Sequence, residues 1–210
     1  MTDHHEDFSA HLLDAATGVL ARFPAELRPE IYALSFRIWR TDDDDRRPYV
    51  AIGCNTESRY ERESLRTDPG EARWNYAYWR LDGFETLGNV PGDPVGSRLY
   101  TTEVRRLGLW FEDDGSEDEA PENGGQGNGA PDDDRESRRE LLREHFASAC
   151  VRVARRLHTE GRIERIFGRP LPVVVFDMYC PGWEVEATRA ANPPEAVRDF
   201  LAWYDTPAPG

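Results

Sequence analysis

Apolar side chains recur at Phe8, Leu12, Ala15, Ala16, Val19 and Phe23, the spacing of one helical face, and Pro24 stops the pattern. An amphipathic helix over residues 7–23 is the prediction. The period then changes. IYALSFRIWR (31–40) and PYVAIGCN (48–55) alternate in part and are rich in β-branched and aromatic residues. With TDDDDRR between them they predict a β-hairpin whose charged connection is solvated. The aspartates lack the alternating ligands and the glycine of a calcium loop. Asn55, Thr56 and Glu57 close the second strand, and SRYERESLR after them reads as a short helix capped by Thr56 or Ser58. Asn55, Thr56 and Glu57 also have a functional reading, as the lining of a crevice at a strand end.

EARWNYAYWRLDGFETLG places Trp74, Tyr76, Tyr78 and Trp79 within six residues. It predicts a short helix or irregular segment whose rings form a lid over the core or anchor a protein interface, where Trp, Tyr and Arg are enriched. Residues 92–96 read as loop, and Leu99, Val104, Leu107 and Trp110 or Phe111 give a helix over 97–111. A long helix runs from Asp133 or Asp134 to about Glu160, with Leu142, Phe146, Ala149, Cys150, Val153 and Leu157 as its stripe and Gly161 as its end. Leu171 to Met178 is apolar without alternation, which predicts a central strand buried on both faces, followed by a turn at Pro181 and Gly182. Trp183 to Ala191 is helical, and Asn192, Pro193, Pro194 and Glu195 read as the capped start of a last helix with Val197, Phe200, Leu201 and Tyr204 on its face. The sum is one α+β domain over residues 1–210, a small, mainly antiparallel sheet flanked by amphipathic helices.

Composition changes this picture at one segment. Residues 112–132 are acidic, glycine-rich and nearly devoid of apolar groups, so they are expected to be a disordered insert. Acidic residues outnumber basic ones 40 to 26, for a formal charge of -14, and every basic residue is arginine. Such a surface repels a phosphate backbone, which argues against nucleic acid as a partner and favours a basic protein. No apolar run approaches the roughly 20 residues of a membrane span, and no signal-peptide core is present, so a cytoplasmic protein without membrane contact is expected. Cys54, Cys150 and Cys180 have no CxxC spacing and are expected to be reduced, buried thiols. His4, His5 and His11 are expected on a solvated face rather than at a metal, and His145 at the edge of the core. Nothing in the sequence sets an oligomeric state.

The chain carries no Walker loop, GxGxxG, GxSxG or HExxH, so neither cofactor nor metal is expected. The leading expectation is a non-enzymatic protein-interaction module whose binding surface draws on Asn55, Thr56, Glu57, Trp74, Trp79, Asp177 and Trp183. The alternative is a small hydrolase using Asp177, Glu184 and Glu186 with Asn55 and Glu57, which requires these groups within about 10 Å of one another.

NTE (Asn55 to Glu57), RWNYAYW (Arg73 to Trp79) and FGRPLPVVVFDMYCPGWEVEATRAANPP (Phe167 to Pro194) together resemble an uncharacterised bacterial domain-of-unknown-function family. Its members share the order of helix, hairpin, NTE motif, Trp-rich segment and C-terminal strand. The resemblance covers most of the chain outside the acidic insert. It implies a stand-alone cytoplasmic domain without assigned activity, similar in style to immunity or accessory proteins of bacterial conflict systems.

Overall fold

The hairpin organises the fold. Residues 31–40 and 48–56 pair antiparallel as β1 (Ile31–Arg40) and β2 (Pro48–Thr56), with Phe36 opposite Ile52 and Arg40 opposite Pro48. In the computed structural model the described residues are 7–80, 85–112, 132–179 and 182–206, excluding the side chains of 132 and 133. Residues 113–131, almost all of the expected insert, lie outside them, as do His4, His5 and Cys180. A four-stranded mixed sheet has the order β3-β2-β1-β4, with β3 (Glu85–Gly88) antiparallel to β2 and β4 (Val173–Asp177) parallel to β1.

The expected central strand is therefore an edge strand, and the two hairpin strands, β1 and β2, are the ones that carry neighbours on both sides. The apolar run of β4 is nonetheless buried on both faces. Its outer edge is closed by side chains of the helix that follows. The Val173 N–H donates to Asn192 Oδ1 (2.8 Å) and the Val175 N–H to Thr188 Oγ1 (3.0 Å), while Asn192 Nδ2 donates to the Val173 carbonyl (2.8 Å). Side chains thus satisfy backbone groups that a further strand would otherwise bind. Asn192 was expected to cap the last helix; instead it ends the preceding one and holds the sheet edge.

One face of the sheet packs under α1 (Phe8–Arg22), α4 (Pro94–Arg106), α5 (Asp132–Thr159), α6 (Arg162–Phe167) and α7 (Glu184–Ala191). Phe8, Leu12, Leu34, Phe36, Phe146 and Val153 belong to this aliphatic and phenylalanine core. α1 is capped by Asp7, whose carboxylate accepts the Ala10 N–H; of its expected stripe Phe8, Leu12, Ala16 and Val19 are buried and Ala15 and Phe23 partly so, and Leu13 and Leu20 join them. α4 starts earlier than expected, because Asp93 caps it and Pro94 fills its first turn. α6 fits between Gly161 and Gly168, both at positive φ (63° and 72°), and had no counterpart in the periodicity.

The opposite face carries an aromatic layer. α2 (Glu57–Ser64), α3 (Pro69–Trp74), the 3₁₀ turn Tyr76–Tyr78 and α8 (Arg198–Tyr204) set Trp74, Trp79 and Phe200 against Tyr32, Val174 and Phe176. Trp74 meets Phe200 edge to face at 5.7 Å, and Trp79 meets Phe176 at 5.8 Å. Of the last helix's expected face, Phe200 is buried and Tyr204 is exposed. No helix among the described residues is long and apolar enough to cross a membrane.

Candidate functional site

Two polar clusters sit at opposite ends of the sheet. The first joins the two sequence motifs. Thr56 ends β2 and caps α2, accepting the Arg59 N–H at 3.3 Å. Glu57 opens α2 and receives both Nη atoms of Arg73 at 3.0 and 3.1 Å. The Arg73 guanidinium stacks on Tyr32 (4.2 Å) and Tyr60 (4.9 Å), while its carbonyl accepts from the Tyr32 hydroxyl (2.6 Å) and from Trp79 Nε1 (2.8 Å). Asn55 is fully buried and donates to the Tyr32 hydroxyl at 2.8 Å. Burial pushes the Tyr32 phenol up, so it stays protonated at neutral pH. The motifs therefore stitch α2, α3 and the aromatic turn onto the sheet.

The second cluster forms at the carboxyl ends of the parallel pair β1 and β4, where sheets with parallel strands commonly bind ligands. Arg40, the last residue of β1, is 3 % exposed in its side chain, and its Nε lies 2.8 Å from Asp45 Oδ1. Its Nη2 reaches Asp177 Oδ2 at 3.4 Å. Asp45 also takes Arg143 of α5 in a fork, at 2.9 and 2.8 Å, and Arg143 reaches Glu136 at 3.2 Å. The hydrogen bonds it donates to Asp45 raise the Arg143 guanidinium, against the opposing effect of burial. Tyr179 follows β4 and lies over Arg40 at 4.2 Å; its N–H donates to Asp177 Oδ1 and its hydroxyl to Asp43 Oδ1 at 2.8 Å. Burial and the Asp43 acceptor both raise its phenol.

The connection between β1 and β2 is thus not a bare solvated turn. Asp42 and Asp43 both hold φ at 55°, in the left-handed region. That conformation costs a non-glycine residue on the order of 1–2 kcal/mol, less for Asp, which bonds locally. The connection is tied by Thr41 N–H to the Arg47 carbonyl (3.0 Å) and by Asp44–Arg46 and Asp42–Arg47 pairs, each at 2.9 Å. A cleft of about 410 Å³ opens there, lined by Arg40, Asp43, Asp45, Arg143 and Tyr179. A neighbouring groove of about 430 Å³ continues along residues 42–47 to Phe111, Arg139 and Arg143.

The expected site residues divide between these ends or lie inside the core. Asn55 pairs with Ala33 and Asp177 with Ile38, so five strand positions separate them, on the order of 16 Å at roughly 3.3 Å each. Glu57 lies beyond Asn55, at the far end, and Glu57 is engaged by Arg73. The carboxylate assembly of Asp177 with Asn55 and Glu57 does not form, because antiparallel pairing sends the end of β2 away from the end of β4. Trp74 and Trp79 are buried in the aromatic layer rather than presented to a partner, and Trp183 is half-buried against the main core at the start of α7. Thr56 is buried as a cap. Only Asp177 belongs to the second cluster. Arg40, Asp43, Asp45, Arg143 and Tyr179 were missed, although an aspartate run directly after a strand-ending arginine was a usable signal.

Other candidates for chemistry are occupied structurally. His11 is not solvated: its Nε2 lies 2.8 Å from Asp93, which also accepts the N–H groups of Gly88 and Gly96. His145 lies at the core edge, 3.0 Å from Glu103. Cys150 is buried and free, and burial, followed by the nearby Asp177 charge, raises its thiol. It is protonated at neutral pH and makes no nucleophile. Cys54 is half-buried and joins no disulfide among the described residues. Among the described residues no group of three or more His, Cys, Asp or Glu is placed to hold a metal ion. In comparisons with known proteins the chain matches no family model, no curated protein and no solved structure.

Proposed function

We propose that the protein is a non-enzymatic, cytoplasmic protein-interaction module that docks a basic partner on the hairpin end of its sheet. The observation that carries this reading is the anchoring of the acidic connection. Buried Arg40 and half-buried Arg143 grip Asp45 from below, and the turn above presents Asp42, 79 % exposed, and Asp43 in fixed positions beside Tyr179. A free acidic loop would lose conformational entropy on binding; one already held loses less, so more of the contact energy appears as affinity. The formal charge of -14 adds long-range attraction for a cationic surface. The immunity-like role implied by the motif resemblance is one form of this reading, with a basic effector protein as the partner.

The test is affinity capture from the native host with the wild-type chain and an Asp42→Asn, Asp43→Asn double variant as baits. The expected result is a basic partner held at low salt, released as salt rises and recovered poorly by the variant. Equal recovery by both baits, or no partner at any salt, overturns the reading.

A further inference from the structure

The four aspartates of the connection are not equivalent. Asp42 pairs with Arg47, Asp44 with Arg46, and Asp45 with Arg40 and Arg143. Asp43 accepts a hydrogen bond from a phenol, that of Tyr179, and no cation partners its carboxylate among the described residues. It holds a left-handed backbone at the mouth of the 410 Å³ cleft, beside a Tyr179 ring that is 39 % exposed. An unneutralised carboxylate next to an exposed aromatic ring inside a shaped cleft is a recognition element for a cation that is both flat and a hydrogen-bond donor.

We infer that this cleft receives an arginine side chain of the basic partner, its guanidinium donating to Asp43 and lying against Tyr179. The inference rests on the interaction-module reading and specifies its chemistry. Guanidinium is favoured over ammonium because it stacks on aromatic rings and donates in a fork to a carboxylate, whereas a lysine offers a compact, strongly hydrated charge. The molecule already uses this arrangement internally: Arg40 lies 4.2 Å from the Tyr179 ring centroid while engaging Asp45, and Arg73 lies 4.2 Å from that of Tyr32 while engaging Glu57. The two arginines lining the cleft do not oppose a third, since each is offset by carboxylates, Arg40 by Asp45 and Asp177 and Arg143 by Asp45 and Glu136.

The experiment is a titration of the whole chain with capped hexa-arginine and hexa-lysine peptides at low ionic strength, read by calorimetry. Asp43→Asn and Tyr179→Leu are measured beside the wild type. Asparagine tolerates the left-handed conformation, so the first variant removes charge while leaving the turn intact. The expected result is a preference for hexa-arginine of at least about fivefold, reduced to near parity in each variant. A preference that survives Asp43→Asn overturns the cleft. Equal binding of both peptides by the wild type also overturns it, while leaving the basic-partner reading standing. Binding of neither peptide overturns both.

Discussion

The two ends of the sheet use the same ingredients to different effect. At the amino end of β1, Glu57, Arg73 and Tyr32 form an ion pair and a cation–π stack beneath the aromatic layer. At the carboxyl end, Asp45, Arg40 and Tyr179 repeat the combination, but the ring is partly exposed and a cleft opens beside it. The first end carries the NTE and RWN motifs, and apart from the buried Asn55 Oδ1, which has no partner among the described residues, its residues spend most of their donors and acceptors on one another. The second carries no motif, and it keeps a carboxylate and an aromatic surface available. A conspicuous short motif can therefore mark how a fold is fastened rather than where it acts.

Four experiments break or sharpen this contrast. The largest effect is expected at the motif end, where rings rather than charges bear the stability. Trp79 is fully buried and its Nε1 donates to the Arg73 carbonyl, so Trp79→Ala is expected to cost about 3–5 kcal/mol in denaturant unfolding. At the hairpin end the charges matter more. Arg40→Met leaves Asp177 and part of Asp45 buried without their cation and is expected to cost about 3 kcal/mol, with loss of order in the connection. If Glu57→Gln costs as much, the contrast fails, because the Glu57–Arg73 pair is substantially solvated and is expected to contribute at most about 1 kcal/mol.

The smallest effect is one of pH. Burial alone would raise the Asp44 carboxyl, but hydrogen bonds from Arg46 outweigh it and hold the group below its ordinary value of 3.8. Its folded value being depressed, its contribution to stability is fully present above that ordinary value and is lost as pH falls toward the folded one. Unfolding midpoints measured from pH 5 downward should therefore fall less steeply in Asp44→Asn than in the wild type. Identical slopes would mean that the Arg46 pairing adds nothing to the anchoring of the connection.

Much of the fold was legible because its signals are local. The 3.6-residue stripe of α1, the stripe of α5, the hairpin of β1 and β2 and the Thr56 cap each depend on neighbours within a few positions. β3, at four residues, is too short to display a period, and α6 too short to display a stripe. The candidate site was less legible for a different reason. Arg40 and Asp177 are 137 residues apart in the chain, and Asp45 and Arg143 are 98 apart.

What the sequence determined by itself is the longer elements and the two-sided burial of Leu171 to Asp177, since alternation, capping and apolar content are properties of consecutive residues. Where that run sits was decided only in three dimensions. β4 takes the sheet's edge because Thr188 and Asn192 satisfy its outward backbone groups, and its parallel pairing with β1 sets Asp177 beside Arg40. The antiparallel turn of β2 carries Asn55 and Glu57 to the other end. Strand order and register, which are long-range pairing choices, thus assigned the motif residues to fastening the fold and left the unmarked hairpin end as the candidate binding surface.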